Sequence, residues 1–482
     1  MMIPNWLTQR MYLTPHKIAL SKGDETWTFQ DVYEKGKKYA EQLTTCGIVS
    51  ENRIALIGSS NETMVFIIYG ALLRGVEIVM LNHRLTSEEL RWQMEDAEVK
   101  AVLYEDSFEE KIAGTMEHSY AFSTISAKKP TPFTIDQEWQ DDKTVTIMYT
   151  SGTTGFPKGV RQTAQNHTSN AMSSVLNLGL MEDDCWLCTM PLFHISGFSI
   201  LVRSLLYGMK IRLYEKFDAK RVTAEIVNGT VTRMSVVTVM LQQIIAELEA
   251  KQQVAHPSFK TMLAGGGSIP TDYLQRAMAR QIPILQTYGM TETSSQTATL
   301  ASEDALRKIG SAGKPLFFNQ IKIRNAHEPN IHGEVLVKGP HVTPGYIGRF
   351  THKSPLEDGW LPTGDIGYLD EEGYLFIVDR RSDLIISGGE NVYPAEIENV
   401  ISSFPNVREV GVCGMKDEKW GEVPVAFVVM DALITEEALI HYCMERLAKY
   451  KVPKKIMFTA QLPRNASNKL LRRELKKWLH SQ

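Results

Sequence analysis

The chain lacks most of the features that would assign it at a glance. Its five cysteines (Cys46, Cys185, Cys188, Cys413 and Cys443) are scattered through 482 residues, too thinly for a disulfide framework, which points to a reducing compartment and most simply the cytoplasm. Cys185 and Cys188 form a CxxC, but Trp186 and Leu187 fill it and no second pair completes a zinc site, so a core strand is expected there. The longest apolar run, Met64 to Leu73, falls far short of the ~20 residues that cross a bilayer, so no membrane insertion is expected. Pro4, Asn5, Gln9, Arg10 and Pro15 interrupt the start, leaving no continuous signal-peptide core. A strong charge of one sign is also missing. The formal net charge of −4 attracts neither nucleic acid nor anionic lipid, so a polyanionic ligand needs a local site. Internal repeats and low-complexity tracts are absent.

What is present is ordinary globular material, 43% hydrophobic and 22% charged, in a chain too long for one core, so at least two domains are expected. Short β-rich runs (Arg53 to Gly58, Glu77 to Leu81, Ala101 to Tyr104, Thr144 to Tyr149, Lys210 to Tyr214, Thr261 to Leu263) alternate with amphipathic segments such as Ser87 to Ala97 and Val239 to Leu248. That rhythm predicts α/β layers. From about Gly333 the runs become close-set strands with Gly and Pro turns: Glu334 to Lys338, Gly345 to Tyr346, Tyr368, and Tyr374 to Val378. This is the texture of a small β subdomain. After the charged stretch Asp379 to Asp383 a second compact unit follows. Pro394 opens one helix with Ile397, Val400 and Ile401 inward, and Thr435 caps another carrying Leu439, Ile440, Cys443 and Leu447; strands are expected at Val410 to Cys413, Val425 to Met430 and Ile456 to Thr459. The boundary is placed between 381 and 382.

The strongest local signal is YTSGTTGFPKG, Tyr149 to Gly159. Gly152, Gly155 and Gly159 allow tight backbone turns that aim N–H groups at oxygens, while Thr150, Ser151, Thr153 and Thr154 add hydroxyls and Lys158 adds charge. It is a phosphate cradle, but no Walker A loop: Pro157 precedes Lys158 and Gly159 follows it. An oxygen-donor carboxylate, Glu292 of YGMTE (Tyr288 to Glu292), after the strand-like Ile282 to Gln286, suits a hard cation that bridges phosphates. Asp365 of LPTGDIG is expected in a tight Gly turn, a position aspartate favours.

Together these motifs resemble the adenylate-forming superfamily of acyl-CoA synthetases, adenylation domains and luciferases. The match runs in order from the phosphate loop to LPRNASNKL, Leu462 to Leu470. The resemblance implies an α/β fold: a large N-terminal domain (1–381) of two layered α/β subdomains plus a small β subdomain, and a small mobile C-terminal α+β domain (382–482). It implies an ATP-dependent acid:CoA ligase with Mg2+ and CoA. Lys158, Thr291, Lys469 and His194 become the catalytic candidates, Glu292 the metal ligand, and Asp365 and Arg380 the ribose and α-phosphate contacts. Thr150 to Gly155, Gly266, Thr287 and Tyr288 fall to the nucleotide. Ser387, Gly388 and Gly389 fall to the CoA arm, and Ser382 to the hinge between two catalytic arrangements. Ser382 stands where the superfamily more often has Asp or Lys, and Asn468 where it has Gly. Around the acid the implied liners are His194 of PLFHISG, Ser196, Gly197, Gly266, Gly267, Thr287, Met290 and Ser294.

The compact length, with YGMTETSSQ, DRRSD and SGGENVYPAEIE, points within the superfamily to ligases of an aryl acid with a second carboxylate, whose pocket needs apolar walls and a donor for the spare charge. A fatty or simple aryl acid:CoA ligase, a luciferase-type oxygenase and a non-catalytic nucleotide-binding scaffold are the rival readings. A peptide-synthetase adenylation domain is less expected, since no carrier segment follows Gln482. The partners implied are a small carboxylic acid, ATP and CoA, with no nucleic acid, and nothing excludes a homo-oligomer. The basic tail (Lys449, Lys451, Lys454, Lys455, Arg464, Arg472, Arg473, Lys476, Lys477) is expected mostly as a solvated helix end.

Overall fold

The computed structural model describes residues 1–150, 156–266, 269–380, 383–387, 390–417, 420–433, 435–447, 449–465 and 470–479. Two large sheets carry the first 315 residues. In the six-stranded sheet, Thr144–Thr150, Glu77–Met80, Arg53–Ile57, Ala101–Tyr104 and Ser119–Ala121 run parallel, and Lys158–Thr163 joins one edge antiparallel. The nine-stranded sheet has a parallel centre of Ile284–Met290, Thr261–Ala264, Arg233–Val236, Cys185–Cys188, Lys210–Leu213 and Ile18–Lys22. Strands such as Ala101–Tyr104 and Arg233–Val236 are buried at every position, as expected when helices cover both faces of a parallel sheet. The predicted runs therefore appear within a residue or two of their expected ends.

Helices Phe29–Thr45 and Glu62–Arg74 pack closely. A Cβ on Gly70 would lie 2.8 Å from the Gly36 carbonyl oxygen, so a side chain there would force the helices apart. Glu62–Arg74 contains the long apolar run and is buried from Met64 to Leu73; no helix among the described residues is long and apolar enough to cross a membrane. Phe29–Thr45 had no counterpart in the sequence reading, although Thr28 and Asp31 form a reciprocal capping box at its start. That Thr-x-x-Asp spacing was the available signal.

The CxxC is a buried strand as expected, and burial pushes the Cys188 thiol up to about 12. Beside it, Arg233 Nη2 pairs with Asp184 Oδ2 at 2.8 Å, almost wholly out of water. Thr232 and the Met181 N–H complete the Asp184 carboxylate. Asp184→Ala strands a buried guanidinium, so we expect a loss of about 3–5 kcal/mol in a urea melt. Arg233→Met on that background should restore part of it.

A four-stranded antiparallel sheet (Gln320–Ile323, Gly333–Lys338, Leu361–Leu369, Leu375–Arg380) follows. Gly345 and Tyr346, expected as a strand, instead make one isolated bridge from Tyr346 to Val160, because this short stretch is spent tying the loop to the phosphate hairpin. The last sheet comprises Ile385–Ser387, Glu390–Val392, Val407–Asp417, Gly421–Met430 and Lys455–Phe458. It has its own core of Ile385, Ile397, Ile401, Val412, Val428, Leu439 and Ile456. Pro394 starts one of its helices and Thr435 caps the other as expected. Leu447 lies beyond the helix Glu436–Met444 but still packs on this core. Among the tail cations, Lys451 pairs with Glu396, Arg464 with Glu409 and Arg472 with Glu398.

Candidate active site

The carboxyl ends of the two parallel sheets meet, which is where open α/β sheets bind ligands. The Leu192 N–H, after strand Cys185–Cys188, donates to Ser60 Oγ, after strand Arg53–Ile57, at 3.0 Å. The Phe193 ring stands 5.0 Å from that of His83, which follows Glu77–Met80.

The phosphate loop leaves the same end of Thr144–Thr150 and returns as the antiparallel strand Lys158–Thr163, with Lys158 opposite Thr150. The strands on either side pair as a hairpin, and the chain after Lys158 continues as a strand and starts no helix. Ser151, Gly152, Thr153, Thr154 and Gly155 lie outside the described residues. Gly159, read from sequence as part of the cradle, sits within the return strand; a Cβ there would lie 2.5 Å from Ile347 Cγ1, so its smallness serves packing. Lys158 is half-buried, with Nζ 5.1 Å from the Tyr346 ring centroid and 5.8 Å from that of Phe350. Burial, then the like charge of Lys353, pull its pKa down, while the Glu292 carboxylate pushes the other way. Glu292 also helps hold the Tyr346 phenol above its ordinary value, behind the larger effect of burial. The loop lysine, Glu292 and an unforeseen tyrosine thus share one neighbourhood.

YGMTE ends the strand Ile284–Met290 and continues into a single 3-10 turn, Thr291–Thr293. Thr287 bonds across to Ala298 and Thr299. Tyr288 reaches out of this sheet and donates its hydroxyl to Asp365 Oδ2 at 2.7 Å. Asp365 itself lies in the strand Leu361–Leu369, opposite Arg380, where the sequence reading had a tight turn. The local kink is real: Gly364 has φ +73°, which glycine tolerates best, and its N–H donates to Glu334 Oε1 at 3.1 Å. Glu334 is held in turn by Arg324. These two supports of the aspartate were not foreseen, since a Glu and an Arg ten residues apart carry no motif. Tyr288→Phe removes a hydrogen bond to a charged acceptor and should weaken ATP binding by about tenfold in calorimetry, with folding unaffected.

On the acid side, His194 precedes the helix Ile195–Tyr207 and its backbone carbonyl accepts from Gly197 and Phe198. Burial, then Arg84 and His83, push its imidazole down to about 4, so it stays neutral through the physiological range. Ser196 sits in the first turn of that helix. Gly197 is held by packing, since a Cβ there would lie 2.3 Å from the Pro191 carbonyl oxygen. Gly266 adopts φ +84° after strand Thr261–Ala264. Met290 is partly buried and Ser294 is buried beneath the turn. Ser387 ends the strand Ile385–Ser387 in the last sheet. Gly267, Ser382, Gly388, Gly389 and Lys469 lie outside the described residues, as does any account of the Arg380 side chain. The stretch before Lys469 is anchored by Arg464 on Glu409, and the one after it by Arg472 on Glu398 and Asp383.

No cluster of three or more His, Cys, Asp or Glu side chains suited to a metal exists among the described residues. A lone carboxylate beside a phosphate loop fits magnesium, which keeps waters and shares its shell between one or two carboxylates and substrate phosphates.

This fold and site are those of a nucleotide-dependent acid-activating enzyme, and the chain belongs to the AMP-binding enzymes: residues 7–347 match that family and 396–469 match the AMP-binding enzyme C-terminal domain. Among curated relatives, the 2-succinylbenzoate–CoA ligase of Bacillus cereus is 47% identical over 478 residues, 98% of each chain. The o-succinylbenzoate CoA synthetase of Bacillus subtilis, in complex with the acyl-adenylate intermediate, superposes with a TM-score of 0.94 at 44% identity, covering 99% of this chain and 98% of that one. The same synthetase with ATP and magnesium ion gives 0.93 at 44% identity, covering 99% and 100%.

Proposed function

We propose that this chain is an AMP-forming 2-succinylbenzoate–CoA ligase of menaquinone biosynthesis, working in the cytoplasm, where ATP and CoA are available. The observation that carries the reading is the full-length likeness to ligases of that acid, at 47% identity across 98% of both chains. The site supports the chemistry independently. Lys158 and the Thr291 hydroxyl would hold the polyphosphate, and Asp365, aimed by Tyr288, would accept the ribose hydroxyls. The substrate carboxylate attacks the α-phosphorus in line and pyrophosphate leaves, so the protein's task is positioning and charge stabilisation rather than covalent chemistry. Glu292 would hold magnesium, which neutralises charge on the departing phosphates.

We place the domain boundary at 381/382, with Ser382 as the pivot. After adenylation the smaller domain would turn to withdraw Lys469 and bring Ser387, Gly388 and Gly389 toward the bound adenylate. The CoA thiol then attacks the acyl carbonyl and AMP leaves. Around the acid, His194, Ser196, Gly266, Gly267, Thr287 and Met290 would form the walls, with the His194 ring, tilted 48° to the Phe193 ring at a centroid distance of 4.6 Å, supplying an uncharged edge against the aryl group.

The test is incubation with ATP, magnesium, CoA and one of 2-succinylbenzoate, decanoate or benzoate, measuring pyrophosphate, AMP and acyl-CoA. All three products from 2-succinylbenzoate alone support the reading. Faster turnover of decanoate or benzoate overturns the choice of acid, and ADP with phosphate in every sample overturns adenylation.

A further inference from the structure

The turn that presents Thr291 and Glu292 is gripped by its backbone, one carbonyl after another. The Thr291 carbonyl accepts from Gln162 Nε2 at 2.9 Å. The Glu292 carbonyl accepts from the Thr343 N–H at 2.8 Å, and the Thr293 carbonyl from Asn170 Nδ2 at 3.1 Å. The three donors come from three elements: the return strand of the phosphate hairpin, the loop after Gly333–Lys338, and the helix Ala164–Leu178. The exit from the turn is strained, with Ser294 at φ +51° and Ser295 at φ +112°. Such angles persist in non-glycine residues where surrounding contacts over-determine them.

Asn170 has a second grip and an unusual backing. Its Nδ2 also donates to the Gln296 carbonyl at 2.7 Å, and its Oδ1 accepts from Arg203 Nη2 at 3.4 Å. Arg203 is 1% exposed, and its described partners are neutral oxygens, including Gln296 Oε1 at 2.8 Å, and the Trp186 ring. A cation in so dry a place is costly unless its donors are used. Here it draws on Asn170 Oδ1, which polarises the amide and strengthens donation from Nδ2 toward the turn. The arginine belongs to the helix Ile195–Tyr207, whose first turn carries Ser196. The buried network therefore ties this helix to the turn that carries Glu292.

We infer that Asn170, oriented by the buried Arg203, is a positioning residue that sets Glu292 for its cation, with Gln162 doing the same for Thr291. The inference rests on the reading of Glu292 as the magnesium ligand. Groups that orient a ligand typically change metal affinity 10–100-fold when removed.

The experiment measures ATP binding by calorimetry across a magnesium titration, and in EDTA, for wild type, Asn170→Ala, Asn170→Asp and Glu292→Gln. Asn170→Asp keeps an oxygen for Arg203 but sets a carboxylate oxygen against the Thr293 and Gln296 carbonyls, so both Asn170 variants lose stability; Asp184→Ala, destabilised at a site that does not touch the turn, is measured beside them to separate positioning from stability. The expected result is a magnesium half-saturation raised about tenfold or more in both Asn170 variants, with affinity in EDTA unchanged and with Asp184→Ala at the wild-type magnesium dependence; an equal shift in Asp184→Ala overturns the inference. If Glu292→Gln shifts the magnesium dependence and Asn170→Asp does not, the positioning inference is overturned while the function stands. If Glu292→Gln shifts nothing, the metal reading falls and the inference with it.

Discussion

Alanine at position 289 is expected to abolish both magnesium-dependent ATP binding and acyl-adenylate formation. Gly289 pairs with Gln296 across the hairpin of Ile284–Met290 and Ser295–Thr299, beside a bulge at Tyr288. A Cβ built there would lie 1.7 Å from the Ser295 carbonyl oxygen and 3.0 Å from the Gln296 Cα. Both obstacles are backbone, so no side-chain rotation relieves the clash, and the strands must part or slip. Overpacking in a core usually costs about 1–3 kcal/mol, and a backbone obstacle sits at the top of that range or above. The displacement falls on Tyr288, Thr291 and Glu292 together, so the proposed ribose and phosphate contacts would fail at once. Calorimetry with ATP and magnesium, beside a far-ultraviolet circular dichroism spectrum that stays near wild type, checks the expectation. Retained ATP affinity would show that this turn is not where the nucleotide is held.

Lys469→Ala should separate binding from chemistry. The mechanism asks a cation to stabilise charge that develops between the acid oxygen and the α-phosphate, and donors of this kind are worth about 10²–10³ in rate when removed. In the proposed assignment, initial nucleotide binding would fall to Lys158, Thr291 and Asp365, so ATP affinity should be retained. Pyrophosphate release with 2-succinylbenzoate, measured in the absence of CoA, should drop by that factor. Thioester formation from a supplied acyl-adenylate should be unaffected, since the proposed domain rotation would withdraw the lysine for that step. A variant that adenylates at the wild-type rate ends this assignment.

How far the sequence carried depended on the kind of signal. Most of the parallel strands were legible because Val and Ile runs between Gly and polar breaks leave few alternatives, and the helix after Thr435 was legible from its cap; Ile18–Lys22, Ser119–Ala121 and Arg233–Val236 were not read. The opening helices, Trp6–Leu13 and Phe29–Thr45, were not read, although the second carries a capping box. The phosphate loop and YGMTE were visible as motifs, yet their joining to Asp365 through the Tyr288 hydroxyl was not, since a contact between residues 77 apart leaves no local trace. For the same reason Gln162, Asn170, Arg203 and Glu334 stayed silent. Each is an ordinary polar residue in its own stretch, and only the fold turns it toward a backbone carbonyl, an amide or a kink. Gly159 shows the opposite error: it sits among phosphate-loop residues and is glycine because Ile347 leaves no room for a side chain.

That the phosphate loop closes a hairpin has a consequence for product release. A loop that opens a helix keeps a standing partial positive charge on its phosphate for as long as the helix exists, whereas paired strands carry only small net dipoles. In this chain the strands Thr144–Thr150 and Lys158–Thr163 flank the loop. On the proposed assignment, the attraction for pyrophosphate beyond the loop's own N–H groups would come from discrete charges, Lys158 and the magnesium ion that Glu292 would hold. A magnesium ion held by Glu292 and leaving with the pyrophosphate would take part of that field along, so the grip on the leaving group would weaken as that group leaves.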